Sequence, residues 1–224
     1  MSWLLPPGVS TFAGDIDRIY YLILWITGVA FFIVEAGLIW FLIKYRARPG
    51  RKAHYTLGNN VAEVVWTAVP AVVVIMIGVL SGGLWNQLRG RDAIPDDAIP
   101  VEVRARQFEW NVTYPGSDGE FDTGDEFTTR NRLRIPVNTP VVVYLESEDV
   151  IHSFFVPAFR VKQDVVPGMR IAVWFEATVA GDYPLECAEL CGNGHTTMGG
   201  TVSVLPQEEY RRWLTEQNQT IAAR

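Results

Sequence analysis

The sequence predicts a two-helix membrane hairpin followed by an all-β domain, a sandwich or Greek-key barrel. Apolar residues run almost unbroken from Ile19 to Ile43 and again from Val61 to Leu84. Each stretch exceeds the ~20 residues that a helix needs to cross a bilayer. After Leu88 no comparable run follows, and alternating, β-branched segments separated by turn dipeptides take over. With 224 residues there is room for one or two domains, and the uneven placement of the apolar residues divides the chain.

Residues 1–18 are expected to form an outer N-terminal arm and 19–45 the first span. The start lacks a basic n-region and a small-residue cleavage site, so the first span reads as a retained helix. Tyr20, Tyr21, Trp40 and Tyr45 fall near its ends, where an aromatic belt would place them. Glu35 lies deep within it, an expensive position for an acid that faces protein or water rather than lipid. The 46–60 loop and its rim carry Lys44, Arg46, Arg48, Arg51 and Lys52 with no acid among them. By the positive-inside rule this loop is cytoplasmic, which puts both termini outside; the expected location is a plasma (inner) membrane, with the termini on its periplasmic side.

The second span, 61–88, has Glu63 at its cytoplasmic rim and Pro70 inside it, tolerable in a membrane helix whose freed carbonyl finds another partner. Residues 89–100 form a polar connector. The β domain, 101–205, offers strand candidates at 101–108, 132–137, 141–146, 170–176 and 200–205, with turns at Pro115-Gly116, Pro167-Gly168 and Gly181-Asp182. Residues 206–224 form a tail that begins as a short surface helix over 206–214.

The formal net charge is −6, and without the five loop positives the remaining 14 basic and 25 acidic residues leave −11. That balance argues against a nucleic-acid partner and suggests a basic one, steered electrostatically. The densest acidic stretch is Asp118, Glu120, Asp122, Asp125 and Glu126.

The chemistry concentrates in one run. Cys187, Cys191, His195 and Met198 fall within twelve residues that contain both cysteines of the chain. Thiolate, imidazole and thioether together are the donors that soft copper selects. A disulfide and a zinc site are the alternatives at this stage. Neither explains Met198, and a disulfide leaves His195 and the glycines at 192, 194, 199 and 200 without a role. A mononuclear blue-copper site needs one Cys; the second suggests two coppers bridged by two thiolates. A cupredoxin-like sandwich needs one more imidazole from a distant strand. His152, just past the 141–146 strand, is the remaining histidine of the β domain, since His54 lies in the basic loop.

Four stretches resemble subunit II of the haem-copper cytochrome c oxidases: Glu63-Val-Val-Trp66-Thr-Ala-Val-Pro70, Ser147-Glu-Asp-Val-Ile-His152-Ser-Phe-Phe-Val-Pro157, Val161-Lys162-Gln-Asp164-Val-Val-Pro167-Gly168, and Cys187 through Met198. The resemblance implies a dinuclear copper A centre. Cys187 and Cys191 would bridge, His152 and His195 would be terminal ligands, Met198 a weak thioether ligand and Glu189 a backbone-carbonyl ligand. It implies that the Glu189 side chain reaches a magnesium ion shared with subunit I, and that Glu63 marks the mouth of a proton path. Electrons would come from a cytochrome c-type donor and pass to haem on subunit I, where oxygen is reduced to water with proton pumping. Subunit I, other oxidase subunits and membrane lipid are the expected partners.

Residues 105–110 depart from the family's Gly-His-Gln-Trp-x-Trp. They read Ala-Arg-Gln-Phe-Glu-Trp, so the usual entry Trp is Phe108 and the second aromatic is Trp110. Both are candidates for electron entry. The chain has no Cys-x-x-Cys-His haem attachment, which assigns the oxygen chemistry elsewhere. A quinol oxidase subunit would lack the copper ligands, and nitrous oxide reductase joins a similar loop to a large catalytic domain. The alternative function is a membrane-tethered copper-binding or delivery cupredoxin without oxidase turnover.

Overall fold

The computed structural model describes residues 4–222; residues 1–3 and 223–224, the tips of the expected arm and tail, lie outside the described residues. Contacts divide the chain into two units, one formed by the residues before Asp15 and from Leu88 onward, the other by 15–87.

The second unit holds most of α1 (Ala13–Tyr45) and of α2 (Asn60–Arg89). At 1.5 Å per residue both are roughly 45–50 Å long, against a hydrocarbon core of about 30 Å. Helix α1 starts at Ala13 rather than at 19. The turn preceding the apolar run is itself helix-compatible, with Asp15 in the favourable N-terminal position and 3.0 Å from Arg18. The Asn59 side chain caps α2 by accepting from the backbone N–H groups of Val61 and Ala62 at 3.1 Å each. Ala13 is the one buried residue of α1 and α2 has none. Such all-round apolar surface belongs to a helix that meets lipid or other helices.

The first unit is a β-sandwich. Its strands are β1 (Ile99–Arg106), β2 (Glu109–Tyr114), β3 (Phe127–Arg130), β4 (Arg132–Pro136), β5 (Pro140–Ser147), β6 (His152–Val156), β7 (Val161–Val165), β8 (Ile171–Glu176), β9 (Gly181–Cys187) and β10 (Gly199–Leu205). They form two five-stranded sheets, ordered β3-β2-β1-β5-β8 and β4-β10-β9-β6-β7. The β1–β5 and β4–β10 pairs are parallel, the rest antiparallel. Alternation sets the faces: Val101, Val103 and Ala105 of β1 are buried while Arg104 and Arg106 are exposed. Trp110, Tyr114, Phe154, Phe159, Phe175 and Leu185 fill the core with no more than 1% exposure each.

Strand β1 ends at Arg106, leaving Gln107 and Phe108 in a turn rather than in the expected 101–108 strand. His152 opens β6 instead of trailing the preceding strand. The tail helix, α3 (Gln207–Ala222), is sixteen residues long, well beyond the expected 206–214. It is not purely a surface element, because Tyr210 and Trp213 are buried. Trp213 meets Tyr114 at a ring-centroid distance of 5.0 Å and Phe127 at 5.5 Å.

The N-terminal arm is part of this unit. Val9 N–H donates to Ala158 O and Thr178 N–H to Val9 O, both at 2.8 Å, and Thr11 N–H donates to Glu176 O at 3.1 Å. The Ser10 hydroxyl donates to Phe159 O at 2.7 Å. Arm residues thus occupy backbone partners that would otherwise be left open.

Candidate metal centre

Strand register assembles the site. Antiparallel pairing of β6 with β9 sets Phe154 opposite Cys187 and brings His152, two residues earlier, to the same end of the sandwich. Pairing of β9 with β10 puts Glu186 opposite Gly199, and Cys187 N–H donates to Met198 O at 3.2 Å. Residues 188–197 are therefore a loop closed at its neck by two of the expected ligands. A 3-10 turn over His195–Thr197 points the loop back, with His195 N–H bonded to Gly192 O at 3.0 Å. Gly192 has φ +133°, a conformation that a side chain would strain.

Five donor side chains converge. Cys187 Sγ and Cys191 Sγ lie 3.8 Å apart as free thiols, nearly twice the ~2.05 Å of a disulfide bond. His152 Nδ1 is 4.0 Å from Cys187 Sγ, and His195 Nδ1 is 3.6 Å from Cys191 Sγ. Met198 Sδ is 3.7 Å from Cys191 Sγ, and Glu189 O lies 3.3 Å from Cys187 Sγ. The donor atoms of His152, Cys187 and Cys191 all fall within 4.8 Å of one another. His152, Cys187, Cys191 and Met198 are buried, while His195 is half-buried and Glu189 exposed. Burial, and then the adjacent Cys187 thiol, pushes Cys191 up to about 11. A metal taken up at neutral pH must displace that proton.

Asp149, to which the sequence assigned no role, orients one of these donors. His152 Nε2 is 2.8 Å from Asp149 Oδ1 and donates to it, leaving the Nδ1 lone pair facing the thiols. Burial opposes the charge on Asp149. The hydrogen bonds from His152 and from the backbone N–H groups of Gln107 and Val150 outweigh it and hold the carboxyl below the usual carboxylate range. The signal available was the acid three residues before the histidine. Trp110, with no exposed surface, meets the His152 ring edge-on at 6.2 Å and Phe154 at 5.8 Å. Phe108 is half-buried on the loop: a Cβ added to Gly194 would come within 2.5 Å of its ring. Beside it, the buried Glu109 carboxylate accepts from Arg106 Nε at 2.6 Å and pairs with Arg130.

Glu63 sits in the first turn of α2, in the other unit. The acidic stretch lies between β2 and β3, past the end of β2 that is remote from Phe108. Three of its carboxylates have local partners: Asp118 accepts from the Glu120 N–H, Asp125 from Thr123 and Ser117, and Glu126 from the Thr123 and Gly124 N–H groups.

Known proteins share this arrangement of helices and sandwich. The family model for the periplasmic domain of cytochrome c oxidase subunit II matches residues 103–205, and that for its transmembrane domain matches residues 1–84. The chain is 32% identical to the alternative cytochrome c oxidase subunit 2 of Bradyrhizobium diazoefficiens, over 98% of this chain and 85% of the relative. It is 31% identical to cytochrome c oxidase subunit 2 of Thermostichus vulcanus, over 98% and 80%. The crystal structure of the periplasmic domain of subunit II of cytochrome oxidase from Bradyrhizobium japonicum matches with a TM-score of 0.50 and 28% identity, over 57% of this chain and 99% of that one. Helices and sandwich each match their own model, and relatives align over nearly the whole of this chain: the chain belongs to the cytochrome c oxidase subunit II family.

Proposed function

We propose that this chain is the electron-entry subunit of a cytochrome c oxidase, taking electrons from a cytochrome c-type donor and delivering them towards haem on subunit I, where oxygen is reduced to water with proton pumping. The observation that carries the reading is the pair of free, buried thiols 3.8 Å apart with an imidazole Nδ1 near each. The donor set fits two soft ions: two sulfurs to bridge, a ring nitrogen at each end, a thioether beside Cys191 and a carbonyl oxygen beside Cys187. A dinuclear copper centre, when bound, exchanges one electron with little change in its bond lengths.

The chain's own residues do the rest. Cys187 and Cys191 surrender their protons to hold the ions. Asp149 keeps the His152 proton on Nε2, and the buried Trp110 and Phe154 wall water away from that imidazole. Phe108 is the ring a donor can approach, because Trp110 has no exposed surface. The exposed Glu189 carboxylate suits a hard cation such as magnesium at the boundary with subunit I. Glu63, at the rim of the second span, would admit protons to subunit I. The basic 44–52 stretch supports a cytoplasmic loop, with the sandwich and both termini in the periplasm.

The test is metal loading of the full chain in detergent. Two copper ions per chain, a purple colour and a mixed-valence spin signal shared by two nuclei are expected. A single-copper spectrum, or a colourless chain that holds zinc, would overturn the reading.

A further inference from the structure

The turn between β1 and β2 touches both halves of the metal centre, and the proposed function assigns it only the entry ring. Gln107 makes two directed contacts there. Its backbone N–H donates to Asp149 Oδ2 at 2.7 Å, and the other oxygen of that carboxylate, Oδ1, accepts from His152 Nε2 at 2.8 Å. Its side-chain Nε2 donates to the carbonyl oxygen of Cys191 at 2.6 Å. The donors come from chain segments that are independent in sequence: His152 from the start of β6, and Cys191, His195 and Met198 from the β9–β10 loop. Gln107 hydrogen-bonds towards both.

We propose that Gln107 is a positioning residue of the metal centre, tying the His152 side of the site to the Cys191 loop through its two N–H donors. The site needs such a tie. The loop contains two glycines, at 192 and 194, with a third at 199 just after Met198, and so has little stiffness of its own. The turn fits the loop closely: a Cβ on Gly192 would lie 2.6 Å from Gln107 Nε2, so the absence of side chains is what lets the amide reach the carbonyl. The Cys191 carbonyl belongs to the residue whose sulfur faces Cys187, His195 and Met198 at 3.6–3.8 Å. Holding that carbonyl holds the sulfur about which these three donors gather. Residues of this kind, one step removed from the metal, set ligand orientation and thereby affinity and potential.

The role rests on the copper reading above, and the experiment separates the two. Gln107→Met keeps the length and bulk of the side chain but removes its donor; Gln107→Glu keeps the shape and sets a carboxylate against the carbonyl. Both leave the backbone N–H to Asp149 intact. Copper affinity of the full chain in detergent is measured by competition with a chelator, and the mixed-valence spin signal is recorded. Both variants are expected to bind copper roughly 10–100-fold more weakly, with the spin shared less evenly between the two nuclei. If either folded variant matches the unsubstituted chain within twofold in affinity and has the same spin signal, the positioning role is overturned. If the unsubstituted chain itself shows no two-copper signal, the copper reading has failed instead. Should the Met variant not accumulate as folded protein, the Glu variant decides.

Discussion

The two ends of the β-sandwich are built from opposite materials. At the metal end, polar and soft side chains are buried, and directed contacts from Asp149, Gln107 and the loop backbone hold them. At the other end of β2, Tyr114, Phe127, Tyr210 and Trp213 pack ring against ring, with Arg134 over the Trp213 face at 5.0 Å. The first end is specified by geometry and tolerates few exchanges; the second is specified by volume. Chemistry and cohesion are thus placed apart on one scaffold, and changes at one end should leave the other intact.

The sharpest way to break this contrast is at the thiols. Cys191→Ser removes one of the two sulfurs proposed to hold the ions and should abolish the two-copper signal, read by metal analysis and spin resonance, while thermal unfolding of the metal-free chain stays close to that of the parent. Loss of the metal-free fold would show that the site and the scaffold are one unit after all. The reverse experiment is Trp213→Ala, expected to destabilise the sandwich by about 3–5 kcal/mol in denaturant unfolding, as large aromatic deletions do, with the copper spectrum unchanged. An altered spectrum would mean that the aromatic end reaches the site.

Asp149→Asn sharpens the picture within the metal end. It weakens the acceptor for His152 Nε2–H without emptying the space, and should lower copper affinity roughly 10–100-fold, with His152 nitrogen chemical shifts reporting a mixed tautomer. The smallest effect is expected from Asp125→Asn with Glu126→Gln. Strand β2 has six residues, so the acidic loop is roughly 17 Å beyond the Phe108 end at 3.4 Å per residue. That is about twice the ~8 Å screening length at physiological salt. Oxidase turnover with a basic cytochrome c should change less than twofold; a larger fall would place the donor against the acidic loop.

The proposed metal ligands were legible because their chemistry is written in residue type: few patterns other than a soft-metal loop need Cys, Cys, His and Met within twelve residues. His152 was legible by elimination among three histidines. Asp149 was not, since an acid in a loop before a histidine ordinarily reads as solvated, and its hydrogen bond depends on where β6 begins. Gln107 was harder still, because its acceptor lies 84 residues away and is a backbone carbonyl. Among the strands, β1, β4, β5, β8 and β10 were found from their alternation; β2, β3 and β6 were missed, as were β7, with Lys162, Gln163 and Asp164, and β9, interrupted by Pro184, which carry no such pattern. Pairing with neighbours rather than local preference makes them strands. Helix α3 outran its expected end because Glu216 to Gln219 offer no apolar signal, although nothing in them stops a helix.

The stitching of residues 9–11 to the segments around Ala158 and Thr178 has a bearing on how the polypeptide is threaded. Residues made earlier hydrogen-bond to residues made more than a hundred positions later, and between them lie both long apolar helices. Such bonds can form only if the chain returns to the compartment it left, so an even number of bilayer passages is demanded by the backbone itself, whatever the charges of the intervening loop dictate. The leading arm must also wait, unpaired, until the sandwich emerges beside it, which makes sealing of that edge a late event in assembly.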